Sequence, residues 1–560
     1  MTVDFYRIHQ KRFISLIVFL MLGIVLVIMR LVYLTCIDSD FLRNQGDIRT
    51  MRNIVVPVHR GIIEDRNGEA IAVNMPKMAV CINAQRFCAS TEQLTQLALL
   101  LNCPVYQLKE KIQNNSNKRF IYLKRGLDIQ LTTALKALKL KGLFLRIQYR
   151  RYYPQAEINA HLLGLTNIDN QGQEGLELIY HNWLHGVPGL KRVIQDRRGN
   201  IIAAPKLLRP AQPGRNLQLS LDQRIQCIAF HALASGVKRY QAQSGTVIVL
   251  GVKTGEVLAM ANYPSYDPNQ PILAFTASHR NSAVTDVFEP GSALKPFSIV
   301  SLLEHGHFTK DSLVDTTPGK LKVDDSWIKD KKDYGLINLE KVLQVSSNVG
   351  IAKLILAVSS DALLELLIRL GFGHITNSGF PGELKGFLPR SPFLNAFELA
   401  TLSFGYGVLV TPLQLAQAYS TLANNGVKVP VTFIKQHYLP VGRKVINAKV
   451  SKTILRMLES VLEKGGTAPL ARIKGYRVTG KTGTTRLVRS HGYDKAYHNS
   501  VFVGIAPAEQ PEVVVLVLLH NLQTKNYYSG STAGVIFAEV MFNTMRILNI
   551  APTDQIITGR

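Results

Sequence analysis

No charge interrupts FISLIVFLMLGIVLVIM, residues 13–29, and the apolar pattern resumes after Arg30 with LVYL. This reaches the ~20 apolar residues a bilayer-spanning helix needs, so the pattern predicts a transmembrane helix over 13–36. A cleaved signal peptide is the competing reading, but its apolar stretch is shorter and ends in a small-residue cleavage site, which is missing before Cys36. Arg7, Lys11 and Arg12 outnumber Asp4 in front of the helix. The positive-inside rule therefore keeps the tail 1–12 in the cytoplasm and places the rest of the chain outside. Arg30 can snorkel to the outer interface or meet a partner helix.

Beyond the helix, the pattern divides near Pro205, Pro210, Pro213 and Gly214, which mark a boundary between 37–215 and a second part that starts at 216. In the first part, Asp65-Arg66-Asn67-Gly68 reads as a hairpin connection between two apolar runs. His161 in RRYYPQAEINAHLLGLTN has no second His at metal spacing and reads as structural. In the second part, Ser220 and Gln223 suggest a capping box for a helix carrying Ile225, Ile228, Ala229, Ala232 and Leu233, with Gly236 as its stop. TVIVL and EVLAMA read as strands joined by the turn GVKTG. Leu339, Val342 and Leu343 form one helical stripe, and Ile351, Leu354 and Ile355 begin another. Thr411, Pro412 and Gln414 have the N-cap, N1 and N3 character of a further helix start. NSVFVGIAP and EVVVLVLLH are strand-like, and a polar loop separates them from VTGKTGTT. Residues 549–560 form a tail.

The chain carries 65 basic against 39 acidic residues, a net charge of +26. Such a charge suits nucleic acid, anionic lipid or an acidic polymer. Spread rather than blocked, without zinc-finger or RNP-type patterns, and attached to a segment outside the cytoplasm, it does not indicate a nucleic-acid partner. Five cysteines, Cys36, Cys81, Cys88, Cys103 and Cys227, include no C-x-x-C pair and suggest neither a disulfide framework nor a metal site.

S-x-x-K occurs three times. Ser235 and Lys238 straddle the expected stop at Gly236, and Ser326 and Lys329 lie in VDDSWIKDKKD, which reads as a solvated loop. Ser292 and Lys295, in FEPGSALKPF, are different: Pro290-Gly291 breaks the chain and a helix comes next, which puts both side chains on one face. Serine is a weak nucleophile unless a base takes its proton, and a lysine does so once its pKa is low enough. N-capping by Ser292 is the plainer alternative. Ser346-Ser347-Asn348, the sole S-x-N, lies between two helical stripes, where Asn348 offers either an amide for substrate or a helix cap. Lys-Thr-Gly occurs twice. Lys253-Thr254-Gly255 is explained as a turn without a buried charge or partner. Lys481-Thr482-Gly483 lies on a strand against which a peptide can be laid, with Lys481, Thr482 and Thr484 facing a terminal carboxylate.

In the order S-x-x-K, S-x-N, K-T-G, these motifs resemble those of the penicillin-recognising serine transferases. Ser346 follows Ser292 by 54 positions and Lys481 follows Ser346 by 135. With RGIIEDRNG, RRYYP, GQEGLE and SFGYG, the resemblance narrows to a class B penicillin-binding protein of the division-specific type, a peptidoglycan D,D-transpeptidase; Ala293 and Thr485 depart from the expected Thr and Ala. The resemblance implies an α+β chain: the anchor, an elongated non-catalytic pedestal over 37–215, and over 216–548 a transpeptidase domain with a five-stranded antiparallel sheet flanked by helices, without a glycosyltransferase domain or appended C-terminal module. It implies Ser292 as nucleophile, Lys295 as general base, Ser346 as proton relay, Asn348 as orienting residue, and Lys481, Thr482, Gly483 and Thr484 as the substrate wall. Backbone amides of Ser292 and Thr484 would form the oxyanion hole. Implied partners are stem peptides, β-lactams as covalent inhibitors, a glycan polymerase of the SEDS family and other division proteins at the septum of the inner membrane. No metal or cofactor is implied. An elongation-specific transpeptidase, a carboxypeptidase, a β-lactamase and a penicillin sensor share the motifs.

Overall fold

The computed structural model describes residues 2–196, 201–202, 206–270, 276–306, 308–390, 394–489, 492–524 and 527–552. Pro205, the tail beyond residue 552 and the side chains of Asp4 and Arg7 lie outside the described residues. The apolar N-terminal pattern forms the helix Thr2–Val32, continued by a wide turn over Tyr33–Ile37. Its stretch His9–Ile37 is long and apolar enough to cross a membrane.

The chain forms two compact units. The smaller joins Met1–His59 to Gly186–Gly214, and its strands Met51–Val56, Gly189–Ile194 and Lys206–Arg209 make a three-stranded sheet. The larger joins Arg60–His185 to Arg215–Arg560. Its N-terminal part holds the hairpin expected at Asp65–Gly68, between Ile63–Glu64 and Ala70–Ile82. Here the turn-rich segments lock together around one buried carboxylate. Arg60 Nε donates to Glu177 Oε2 at 2.7 Å and Arg151 Nε to Glu177 Oε1 at 2.6 Å, and none of the three is more than 4% exposed. Two cations around one anion offset the cost of removing all three from water. His161 is structural, as expected: buried, with Nε2 2.7 Å from the Ser278 carbonyl and a pKa lowered by desolvation to about 4.

The C-terminal part is built on an antiparallel sheet in the order Val257–Tyr263, Ser244–Gly251, Val513–Leu522, Gly492–Ala506, Thr479–Arg489. The central strands Ser244–Gly251 and Val513–Leu522 are rich in β-branched residues and almost wholly buried. GVKTG is the expected turn; Gly255 has φ +68°, and a Cβ there would lie 2.1 Å from the Pro430 carbonyl oxygen. Thr411 and Gln414 make the expected reciprocal capping box.

Five local expectations need correction. The helix Gln223–Arg239 is capped by Asp222, which accepts from Arg224 N–H, whereas Ser220 Oγ donates to the Val257 carbonyl at 2.8 Å. It also runs through Gly236, because that residue is where the C-terminal helix Ala533–Ile547 crosses: a Cβ would approach Ile536 Cδ1 to 2.3 Å. Ser326–Lys329 is a strand paired with Lys320–Val323, held by buried Val323 and Ile328. The polar stretch after Thr485 continues the hairpin ladder to Arg489 and Gly492. Lys253 does have a partner, Glu512 at 2.6 Å, but both side chains are exposed, and such pairs contribute under about 1 kcal/mol.

Candidate active site

The three motifs arrive on different elements. Ser292 lies in the 3-10 turn Gly291–Leu294, whose last carbonyls feed the helix Lys295–Glu304. Pro296 falls in that helix's first turn, where its missing N–H costs nothing. The turn is pinned from three directions. Gly291 N–H donates to the Gly405 carbonyl at 3.1 Å, and Tyr419 Oη donates to the Ala293 carbonyl at 2.7 Å. On the third side a Cβ at Gly483 would stand 2.3 Å from the Pro290 carbonyl oxygen, so glycine lets strand Thr479–Arg489 close against the turn.

Lys295 is fully buried. Its Nζ donates to the Ser346 carbonyl at 2.6 Å and Asn348 Oδ1 at 2.7 Å, with Ser346 Oγ at 3.2 Å. Ser346 ends the helix Leu339–Val345 in the left-handed region, φ +60° and ψ +44°. For a non-glycine residue that conformation costs roughly 1–3 kcal/mol, and the bend turns its carbonyl and hydroxyl toward Lys295. From the sheet side, Lys481 Nζ donates to the same Ser346 Oγ at 3.0 Å. One hydroxyl thus joins two buried lysines.

Both amines lose protons readily. Burial depresses the pKa of Lys295 well below its ordinary value, the charge of Lys481 lowers it further, and Asp330 opposes. Burial, assisted by Lys331, brings Lys481 to about 7. A neutral Lys295 is a base; a Lys481 poised near neutrality takes up a proton when an anion arrives. Of the remaining motif residues, Thr482 Oγ1 lies 3.0 Å from Thr467 Oγ1, and Thr484 Oγ1 lies 2.7 Å from Ser529 Oγ. Lys295, Ser346, Asn348 and Lys481 meet here through hydrogen bonds, Thr482, Gly483 and Thr484 continue the strand of Lys481, and Ser292 lies in the turn that leads into Lys295, while Ser235 and Lys238 lie elsewhere, on the helix Gln223–Arg239.

Asn348 does not cap the helix Asn348–Leu356; Ser347 does, accepting from Gly350 N–H at 2.8 Å. This leaves the amide of Asn348 for Lys295. The device that fixes it, Asp330, was not legible in the sequence. Its Oδ1 accepts from Asn348 N–H at 2.5 Å and Val349 N–H at 3.1 Å, and its Oδ2 from Ser347 Oγ. A carboxylate at a helix N-terminus is favoured by the dipole. Its charged surroundings, DSWIKDKKD, resemble any solvated face.

A serine in the turn before a buried lysine whose pKa burial lowers, a second lysine on the edge strand of the sheet, and a hydroxyl between the two amines have the layout expected of a serine acyl-transfer site of the penicillin-recognising type. Residues 245–542 match the penicillin binding protein transpeptidase domain and residues 55–219 the penicillin-binding protein dimerisation domain. The probable peptidoglycan D,D-transpeptidase PbpC of Pseudomonas aeruginosa is 38% identical, the alignment covering 98% of this chain and 97% of that protein. Peptidoglycan D,D-transpeptidase FtsI of Escherichia coli is also 38% identical, over 96% of this chain and 92% of its own length. The solved transpeptidase domain of Burkholderia pseudomallei penicillin-binding protein 3 superposes with a TM-score of 0.56 at 35% identity, covering 60% of this chain and 97% of that one. The chain belongs to the class B penicillin-binding proteins, which combine these two domains.

Proposed function

We propose that the protein is a peptidoglycan D,D-transpeptidase of the division septum that works through an acyl-enzyme at Ser292. The observation that carries this reading is the bonding of buried Lys295 to Ser346 and Asn348, with Lys481 on the other side of Ser346. Ser292 Oγ attacks the carbonyl carbon of the penultimate D-Ala of a stem peptide, and its proton passes to Lys295 Nζ. Backbone N–H groups of Ser292 and Thr484 receive the oxyanion; a single donor of this kind is worth about 3–4 kcal/mol. The C–N bond breaks as that proton is relayed from Lys295 through Ser346 to the departing D-Ala amine; an amine of a neighbouring stem then attacks the ester carbonyl, the C–O bond to Ser292 breaks, and the proton lost by the amine returns to Ser292 Oγ. Lys481, with Thr482, Gly483 and Thr484, receives the terminal carboxylate. β-Lactams enter the same cleft and leave Ser292 acylated.

The arrangement in the envelope rests on the apolar helix: cytoplasmic N-terminus, one inner-membrane crossing, a pedestal over 37–215 and a catalytic domain over 216–548 on the periplasmic side. A SEDS glycan polymerase and other division proteins are the partners of this reading. The test is labelling of the purified protein with a fluorescent penicillin, followed by peptide mapping and by localisation of a fusion in dividing cells. Label on Ser292 alone and a band at mid-cell are expected. Label retained by Ser292→Ala overturns the site, and a lateral-wall distribution replaces septal by elongation synthesis.

A further inference from the structure

The strand Ser326–Lys329 delivers two consecutive charged residues to the active-site cleft. Asp330 is consumed by the Ser347–Val349 turn, where it accepts three hydrogen bonds. Lys331 is exposed and points the other way, its Nζ 4.1 Å from the ring centroid of Tyr528. Tyr528 in turn precedes Ser529, whose Oγ donates to the Gly483 carbonyl at 2.6 Å and lies 2.7 Å from Thr484 Oγ1. Each end of the Lys331–Tyr528 contact is therefore covalently next to a residue that fixes one motif: Asp330 for Ser347-Asn348, Ser529 for Gly483-Thr484. The contact straps one wall of the cleft to the other.

Three features make this strap exchangeable rather than permanent. Tyr528 is 47% exposed, so water competes for the ammonium. Among the described residues no carboxylate pairs with Lys331. Lysine is also a compact charge on a flexible stem that swings without disturbing the backbone. The positive charge is felt inside the site, since it helps to lower the pKa of Lys481.

We propose that Lys331 is a specificity-determining residue, which leaves the ring of Tyr528 to pair with a carboxylate of the donor peptide other than the terminal one. A charge-assisted bond to a carboxylate is stronger than an exposed cation–π contact, so the exchange runs forward when such a substrate enters. The empty cleft is strapped by Lys331 and Tyr528; the filled cleft is strapped through the substrate. Substrates with an anionic side group near the reacting bond are thereby preferred over neutral ones. This preference rests on the transpeptidase reading of the same site.

The test uses the full-length protein and two penicillins that differ only in the acyl side chain, one ending in a carboxylate and the other in its primary amide. Second-order acylation rates are measured for the parent, Lys331→Ala, Lys331→Arg and Lys331→Glu, and the quantity read is the ratio of the two rates. The parent ratio favours the carboxylate. It falls three- to tenfold in Lys331→Ala, is kept in Lys331→Arg and inverts in Lys331→Glu. An unchanged ratio in Lys331→Ala and Lys331→Glu, or equal slowing with both penicillins, overturns the proposal, because a merely structural strap does not distinguish the probes. A parent labelled at Ser292 by neither penicillin overturns the transpeptidase reading itself, and the proposal with it.

Discussion

Asn348 Oδ1 accepts a hydrogen bond from Lys295 Nζ at 2.7 Å, and Asn348 N–H donates to Asp330 at 2.5 Å. The side-chain amide that orients the base thus belongs to a residue whose backbone N–H is held by a carboxylate from another element. Removing it leaves Lys295 buried with one acceptor fewer, a loss of about 1–2 kcal/mol for a single hydrogen bond, with misorientation of the amine added. Asn348→Ala should slow penicillin acylation about ten- to a hundredfold with little change in melting temperature. Asp330→Ala should show the same kinetic defect and a lower melting temperature as well, since it strips the acceptor from two backbone N–H groups. Stopped-flow acylation and thermal melts check both; normal rates in Asp330→Ala would show that Asn348 holds its place unaided.

Lys481 makes stability depend on pH in an unusual direction. Folded, it ionises at about 7; its ordinary value is 10.5. Between these limits the unfolded chain holds a proton that the folded protein lacks, so stability rises with pH from about 7 to 10.5. Below 7 both states are protonated, and the full penalty of the buried charge is present. Lys295 acts in the same sense, since burial and the charge of Lys481 lower its pKa too. Lys481→Met should therefore raise stability by a few kcal/mol at pH 6 and by much less at pH 10, read from denaturant melts. The same ionisation gives acylation by a carboxylate-bearing penicillin a descending limb near pH 7, because second-order rates report the free enzyme. Lys253→Ala, which loses only the exposed pair with Glu512, should leave both profiles as they are.

Glu177 supplies a test of the fold rather than the site. Its two oxygens separately receive Arg60 and Arg151, all three buried. Glu177→Ala leaves two like charges in a low-dielectric interior with no anion, a change that costs about 3–5 kcal/mol. The measurement is thermal or urea unfolding. A loss below 1 kcal/mol would mean that water reaches the two guanidinium groups.

Local signals announce some parts of the molecule and leave others silent. The strands of the central sheet, the Thr411 capping box and the separation of the two Lys-Thr-Gly copies all rest on apolar periodicity, cap residues and turn glycines. The three motifs were legible because each side chain has few alternative uses and their order restricts the reading. Asp330 and Lys331 were not, because a charge run on a surface hairpin and a charge run that clamps a catalytic turn have the same composition. Gly236 misled for a related reason: a glycine that stops a helix and a glycine that lets another helix cross differ only in what lies opposite, here Ile536. The Glu177 cluster joins residues 117 positions apart, and no local pattern encodes such a partner.

SFGYG offers the sharpest test of how the nucleophile turn is held, because its two glycines differ in one respect. Gly405 and Gly407 both have positive φ, +85° and +74°. Alanine at either is strained by about 1–2 kcal/mol from backbone conformation alone. At Gly407 nothing lies within 4 Å of an added Cβ, so strain is the whole effect. At Gly405 the Cβ would fall 2.1 Å from the Gly291 carbonyl oxygen and 2.6 Å from its nitrogen, both backbone atoms immediately before Ser292. Relief requires the Gly291 turn to move away, which breaks the 3.1 Å bond from Gly291 N–H to Gly405 and displaces Ser292 relative to Lys295. A displacement of about 1 Å at reacting groups is worth on the order of a hundredfold in rate. Gly405→Ala is expected to lose at least that much in penicillin acylation, whereas Gly407→Ala should lose a similar increment of stability from strain yet acylate within a few-fold of the parent. Equal acylation rates for the two folded variants would mean that the 291–294 turn does not depend on this close approach, and that Tyr419 and the Gly483 strand suffice to place Ser292.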